Sequence, residues 1–243
     1  MAGQGQVSLA GIFQEMFGTG GTQAAGTRIA VLAGSPHGAM SGMVAEVLVG
    51  LLQARGAQAS LLRINDFDVA GCTGCGACAR SGICAHDRTE AAGRRPGHAA
   101  LRNELEGADG LALVAPVYFS GPPSQLKAVI DRMQPLFYQR YLTHTRAILP
   151  VPARKPLDLL VVGNGGDPFG YQPLVTCVHS GFRMLDYELR QVHDLVGIQN
   201  GLPDGGTYTL TADADMLSKM NDWARDLVSA ALACKQTIDS REV

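Results

Sequence analysis

From residue 27 the chain alternates between short apolar runs and longer stretches with apolar residues at helical spacing. Arg28–Ala33 is an apolar run that ends at Gly34. Met43, Val44, Val47, Leu48, Leu51 and Leu52 follow at helical spacing, and Gly56 closes them. Ala59–Ile64 predicts a second strand, after which residues 65–97 are polar and rich in cysteine. His98–Leu105 predicts a helix, and Leu111–Val117 a third strand with almost no polar residue. Pro122 or Pro123 opens a helix that carries Leu126, Val129, Ile130 and Met133 on one face. Leu157–Val162 is a fourth strand, stopped by Gly163, Asn164, Gly165 and Gly166. A helix over Pro173–Phe182, a strand over Glu188–Leu195 and a closing helix from Asp213 to Cys234 complete the pattern.

Uninterrupted apolar strands alternating with amphipathic helices indicate a parallel sheet covered on both faces. The expected fold is α/β, a flavodoxin-like doubly wound five-stranded sheet of order 2-1-3-4-5, with a cysteine-rich loop after strand two. In such sheets a ligand sits beyond the carboxyl ends of the strands, where the strand order reverses. Residues 27–243 read as one domain and residues 1–26 as a flexible leader or arm. Leu9, Ile12, Phe13, Met16 and Phe17 could form one amphipathic helical stretch within that leader. Residues 65–97 and 134–156 read as long insertions.

Composition narrows the function. Of 243 residues, 46% are hydrophobic, which is ample for a core. The formal charge of −2 leaves no basic excess for a nucleic-acid backbone. No apolar run approaches the roughly 18–20 residues that cross a bilayer, so no membrane partner is expected. The first 26 residues contain no Lys or Arg, unlike a secretory signal. The expected compartment is therefore cytoplasmic, where thiols stay reduced and clustered cysteines suggest metal before disulfide.

The loop after the first strand reads Gly34-Ser35-Pro36-His37-Gly38-Ala39-Met40-Ser41-Gly42. Small residues let a backbone approach a ligand, and a helix start offers N–H donors and a positive dipole end. Ser35 and Ser41 add hydroxyls, so this loop can hold a phosphate without a lysine. It is neither a Walker loop nor G-x-G-x-x-G, and a tight turn with Ser41 as N-cap is the alternative reading. After the third strand, Pro116-Val117-Tyr118-Phe119-Ser120-Gly121 places aromatic rings where a planar ligand can stack. Tyr118 and Phe119 merely capping the core is the alternative there.

Gly34-Ser35-Pro36, together with Pro116-Val117-Tyr118-Phe119 leading into Leu126-Lys127-Ala128-Val129-Ile130-Asp131-Arg132, resembles the flavodoxin-like NADPH-dependent FMN reductases over about residues 27–195. The resemblance implies that Ser35, His37, Ser41 and Gly42 bind the FMN phosphate. It implies that Pro116, Val117, Tyr118 and Phe119 lie against the isoalloxazine, and that Asn164, Gly165 and Gly166 contribute from the loop after strand four.

Four of the six cysteines, Cys72, Cys75, Cys78 and Cys84, fall within thirteen residues in the spacing C-x2-C-x2-C-x5-C. Gly74, Gly76 and Gly82 permit the turning that a compact inorganic centre requires. The spacing is similar to a ferredoxin run, and a 4Fe–4S cluster, zinc and free thiols are the three readings it leaves open. Joined to the flavin loops, the motif resembles the iron–sulfur flavoprotein branch of the family. That resemblance implies a 4Fe–4S cluster on these four cysteines, near a neighbouring subunit's FMN in a homo-oligomer.

The remaining candidates read as ordinary structure. Cys177 and Cys234 are expected to be buried apolar residues. His86 and His98 are expected to be solvated loop histidines, and Asp213, Asp215, Asp222 and Asp226 a solvated helical face. Arg94, Arg95, Arg154 and Lys155 are read as surface charge. No catalytic acid–base constellation is recognisable, which suits chemistry carried by cofactors. The expected activity is electron transfer from a reduced donor, NAD(P)H, through FMN and a 4Fe–4S cluster to a small-molecule or protein acceptor. A cluster-free NAD(P)H:FMN or quinone reductase and a non-enzymatic flavodoxin-like electron carrier are the alternatives.

Overall fold

The computed structural model describes residues 8–19, 24–35, 40–90, 95–142, 154–198 and 208–240. Its centre is a parallel sheet of order β2-β1-β3-β4-β5. The strands are β1 Arg28–Ala33, β2 Gln58–Arg63, β3 Gly110–Pro116, β4 Lys155–Gly163 and β5 Tyr187–Val196. The helices are α1 Leu9–Phe17, α2 Met40–Ala54, α3 Ala77–Ser81, α4 Ala85–Glu90, α5 His98–Glu106, α6 Ser124–Asp131, α7 Gln134–Phe137, α8 Gln172–Phe182 and α9 Ala214–Asp239. The flavodoxin-like order expected from the sequence is the order observed.

Side chains alternate across a strand, and each central strand therefore feeds two cores. Ile29, Val31, Ala112, Val114, Leu160 and Val162 face one layer with α2 and α9. Ala30, Leu32, Leu111, Leu113, Leu159 and Val161 face the other with α5, α6 and α8. Every residue of β3 is buried, which is why its sequence lacks the polar alternation of a half-exposed strand.

Residues 9–17, assigned above to a leader or arm, form α1, capped by the Ser8 hydroxyl accepting from the Gly11 N–H at 3.1 Å. This helix packs on α2 of its own chain. Phe13 is buried in the same core as Val47 and Leu51. Gly50 makes the approach possible, since a Cβ there would stand 3.0 Å from Leu9 Cβ and from the Phe13 ring.

Three expectations are corrected by packing. His98 opens α5 and is buried, with Nε2 3.2 Å from the Val129 carbonyl, so it is no solvated loop histidine. Asp213 caps α9, accepting from the Met216 N–H at 2.9 Å, and belongs to no exposed helical face. Cys177 and Cys234 are only half-buried. The insertion after β2 is also more ordered than its composition suggests, because it folds into α3 and α4 before α5. Among the described residues no helix is long and apolar enough to cross a membrane.

Candidate functional site

The carboxyl ends of β1, β3, β4 and β5 converge on a cavity of about 990 Å³, where the strand order reverses between β1 and β3. Sheet bonding continues beyond the strands and fixes the loops that frame it. The Gly34 N–H donates to the Val114 carbonyl at 2.8 Å, that of Val117 to Val162 at 3.1 Å, and that of Gly197 to Gly163 at 2.7 Å.

Ser35, Ser41, Pro116, Val117, Tyr118, Asn164, Gly165 and Gly166 all line this cavity. Gly42 does not: it is buried within α2, outside the wall. Phe119 is also outside the wall, with its ring wholly exposed. His37 lies outside the described residues. Sequence reasoning missed Met40, Met43, Asp167, Tyr171, Asp194 and Tyr208. Met40 and Met43 were findable as neighbours of Ser41 on the first turn of α2. Asp167 and Tyr171 lie on the same loop as Asn164–Gly166, and Asp194 lies near the end of β5, with no glycine or serine beside it to mark a ligand loop.

The wall is chemically graded. At one end stand the start of the 15-residue α2 and the Ser35 and Ser41 hydroxyls, the donor set for an anion. Pro116, Val117, Val162 and Val196 form an apolar surface. Gly165 and Gly166 have φ of 81° and 86°, and a Cβ on Gly166 would meet no atom within 4 Å. These are left-handed positions that glycine adopts without strain, and they present backbone rather than side chain to the cavity. At the rim, Asp194 accepts from the Tyr171 hydroxyl at 3.1 Å and from the Val196 N–H at 2.8 Å. Desolvation, reinforced by Asp194, raises the Tyr171 phenol above its ordinary range. The Phe169 N–H, with Ser120 adding to it, holds the Asp167 carboxyl below its ordinary range. Among the described wall residues there is no cation, so an anion here is held by dipoles and hydroxyls. A phosphate end, an apolar slot and an edge of open backbone match the parts of a flavin mononucleotide in kind.

The turn after β3 is strained. Phe119 and Ser120 have φ of 49° and 61°, a conformation costing about 1–3 kcal/mol for each non-glycine residue. Reciprocal bonds between Tyr118 and Gly121 at 2.9 and 3.0 Å close it.

A second hollow of about 400 Å³ is lined by Cys72, Cys75, Cys78 and Cys84 together with His86, Asp131, Arg132 and Tyr138. Gly74, Gly76 and Gly82 adopt φ of 65°, 70° and 68°, so the chain turns repeatedly between the four cysteines. Cys72 and Cys75 are exposed, and Cys78 and Cys84 are half-buried. Among the described residues no three His, Cys, Asp or Glu side chains converge as ligands of a single metal ion. Cys72, Cys75, Cys78 and Cys84 thus line one hollow without converging on a single point among the described residues.

The wall of this hollow is anchored by charge. The Arg132 side chain has no exposed surface, and its guanidinium donates to Asp87 at 2.5 Å. His98 Nδ1 stands 4.0 Å from the same carboxylate. Burial, and then the Arg132 charge, push the His98 imidazole down to about 4, so it is neutral at physiological pH. The two cavities share no wall residue. Asp131 and Arg132, at the end of α6, line the cysteine hollow, and no residue of α6 lines the larger cavity.

Comparison with known proteins agrees with this geometry. Residues 27–193 match the family model described as NADPH-dependent FMN reductase. An iron-sulfur flavoprotein of Methanosarcina thermophila is 30% identical over 109 residues, 43% of this chain and 51% of that protein. The chain spans about half the length of the curated relatives it matches. A flavone reductase structure superposes with a TM-score of 0.58 at 12% identity, over 84% of this chain and 63% of that one. An NADH:FMN oxidoreductase structure does so with a TM-score of 0.51 at 19% identity, over 83% of this chain and 88% of that one. At these identities the two structures show a common fold, whereas the family model covers most of the chain. The chain belongs to the NADPH-dependent FMN reductase family.

Proposed function

We propose that the protein is an FMN-dependent oxidoreductase that draws electrons from NAD(P)H and exchanges them with a 4Fe–4S cluster on Cys72, Cys75, Cys78 and Cys84. The observation that carries the flavin part is the graded cavity at the strand-order reversal. Ser35, Ser41 and the first turn of α2 hold the phosphate. Pro116, Val117 and Val162 exclude water from one face of the ring system, and the backbone of Asn164, Gly165 and Gly166 meets its polar edge. His37 is assigned to the phosphate end by family resemblance alone. A bound FMN would supply the exchange between two-electron and one-electron transfer, and a cluster held by the four cysteines would supply one-electron acceptance.

The chain's own residues position and insulate. No side chain needs to act as a general acid or base in a pure electron exchange, and the two wall carboxylates are engaged elsewhere, Asp167 with the Phe169 N–H and Asp194 with Tyr171 and the Val196 N–H. The two cavities share no wall residue, and the family resemblance supports a homo-oligomer in which one copy's cysteine hollow approaches its neighbour's flavin cavity. The cluster is supported by the four thiols around one hollow and by the iron-sulfur flavoprotein relatives.

The test is anaerobic. Protein prepared without oxygen is expected to take up one FMN per chain and to carry iron and acid-labile sulfide, and NADH or NADPH is expected to bleach the flavin. Zinc in place of iron and sulfide would turn the cysteine loop into a structural site. Flavin that neither nucleotide bleaches would leave an electron carrier.

A further inference from the structure

Tyr208 lines the flavin cavity yet lies beyond residues 27–193, the segment that matches the reductase family. It reaches the wall from the stretch ahead of α9. The single turn Leu210–Ala212 packs on α2, and Leu210 is buried in the core that α2 and α9 share. Tyr208 is half-buried against that same core, as are the wall residues Met40 and Met43. It therefore belongs to the side of the cavity that α2 opens. One carboxylate ties this tyrosine to a helix. The Tyr208 hydroxyl donates to Asp213 Oδ2 at 2.9 Å, and Asp213 Oδ1, at the N-cap of α9, accepts from the Met216 N–H at 2.9 Å. Desolvation, reinforced by Asp213, raises the Tyr208 phenol above its ordinary range, which keeps it a donor. The Met216 N–H, and then the Tyr208 hydroxyl, hold the Asp213 carboxyl below its ordinary range, which keeps it an acceptor. With the hydroxyl committed to Asp213, the ring is what Tyr208 offers to the cavity. Tyr171 differs, because its partner Asp194 is itself a wall residue, whereas Asp213 is not.

We propose that Tyr208 is a binding residue for the flavin nucleotide, its ring meeting the ligand on the α2 side of the cavity, and that Asp213 is the positioning residue that holds the ring there. The inference rests on the FMN reading of that cavity. The two oxygens of Asp213 do separate work. One closes the first turn of the 26-residue α9, and the other fixes a wall side chain. A ring already held in place loses less freedom when a ligand arrives than one that must be ordered on binding. The coupling is also reciprocal: what Asp213 adds to FMN affinity, bound FMN returns as order at the start of α9.

The experiment titrates the full chain, freed of flavin, with FMN and reads the Kd from flavin fluorescence. Tyr208→Phe keeps the ring and removes the bond. Asp213→Ser keeps a good N-cap and removes the second oxygen. Each is expected to raise the FMN Kd about two- to tenfold, the range for one hydrogen bond. The double variant should lose no more than either alone, because both substitutions break the same bond. Tyr208→Leu should raise the Kd further than Tyr208→Phe, since the ring goes as well. Exchange of the Met216 amide hydrogen should slow when FMN binds the wild type, and slow less in Tyr208→Phe. An unchanged Kd in Tyr208→Leu would overturn this inference alone, as would losses that add in the double variant. So would an unchanged Kd in both Tyr208→Phe and Asp213→Ser, and a lowered urea midpoint there would assign the pair to capping α9. Wild-type protein that takes up no FMN would overturn this inference and the flavin reading together.

Discussion

The flavin cavity and the cysteine hollow are built by different means. The cavity is framed by loops that continue the sheet's own hydrogen bonding, as from Gly34 to Val114 and from Val117 to Val162. Its walls inherit the rigidity of β3 and β4, whose residues are almost all buried. The hollow lies on an insertion carrying two short helices, α3 and α4, shaped by left-handed glycines. It is fastened to the domain by a few polar contacts, Asp87 with the buried Arg132 and the Gln139 amide donating to the Gly82 carbonyl at 2.8 Å among them. A binding site on strand ends is stabilised by the core of the whole domain, whereas a site on a loop depends on a few local anchors. The two should therefore be separable by substitution.

The sharpest separation is expected from Cys75→Ala. It should abolish the cluster's visible absorbance and its iron and sulfide content while FMN stays bound. Simultaneous loss of flavin would contradict two separate sites. Next comes Asp87→Ala, which leaves the Arg132 guanidinium buried without its carboxylate. Breaking such a pair costs about 3–5 kcal/mol, read as a lowered urea midpoint, and the cysteine loop should show the earliest proteolysis.

Acid should act through the same anchor. His98 is held at about 4, below its ordinary value near 6.5, so the unfolded chain binds a proton there that the folded chain refuses. Stability from this group is complete above about pH 6.5 and falls as pH drops toward 4. The full loss approaches about 3 kcal/mol. Urea midpoints at pH 7 and 4.5 should differ less in His98→Gln than in the wild type. The smallest of these effects is expected at the cavity. Ser41→Ala should weaken FMN by about 1.5–3 kcal/mol, the range for a hydrogen bond to a charged group, and leave iron content unchanged. Flavin fluorescence titration measures it.

The contrast also explains what could be read from the chain. The central strands were legible because burial on both faces leaves them continuously apolar, as at Leu111–Ala115. The turns after β1, β3 and β4 were legible because glycine, serine and proline cluster where strands end. α3 and α4 were not, since five or six residues carry too little periodicity to register. The docking of α1 depends on the close approach at Gly50, a tertiary fact with no local signal. Asp194 at the end of β5, Tyr171 at the start of α8 and Tyr208 ahead of α9 meet at the cavity only in three dimensions. Nothing in the sequence signals that Phe119 takes a positive φ and is fully exposed.

Everything in the functional reading depends on the strand-end cavity accepting a flavin nucleotide, and anaerobic titration of flavin-free protein with FMN tests that directly. The account predicts saturation at one FMN per chain, with quenched flavin fluorescence and a shifted visible absorption band. A flat titration, with the fluorescence of free FMN preserved throughout, would contradict it.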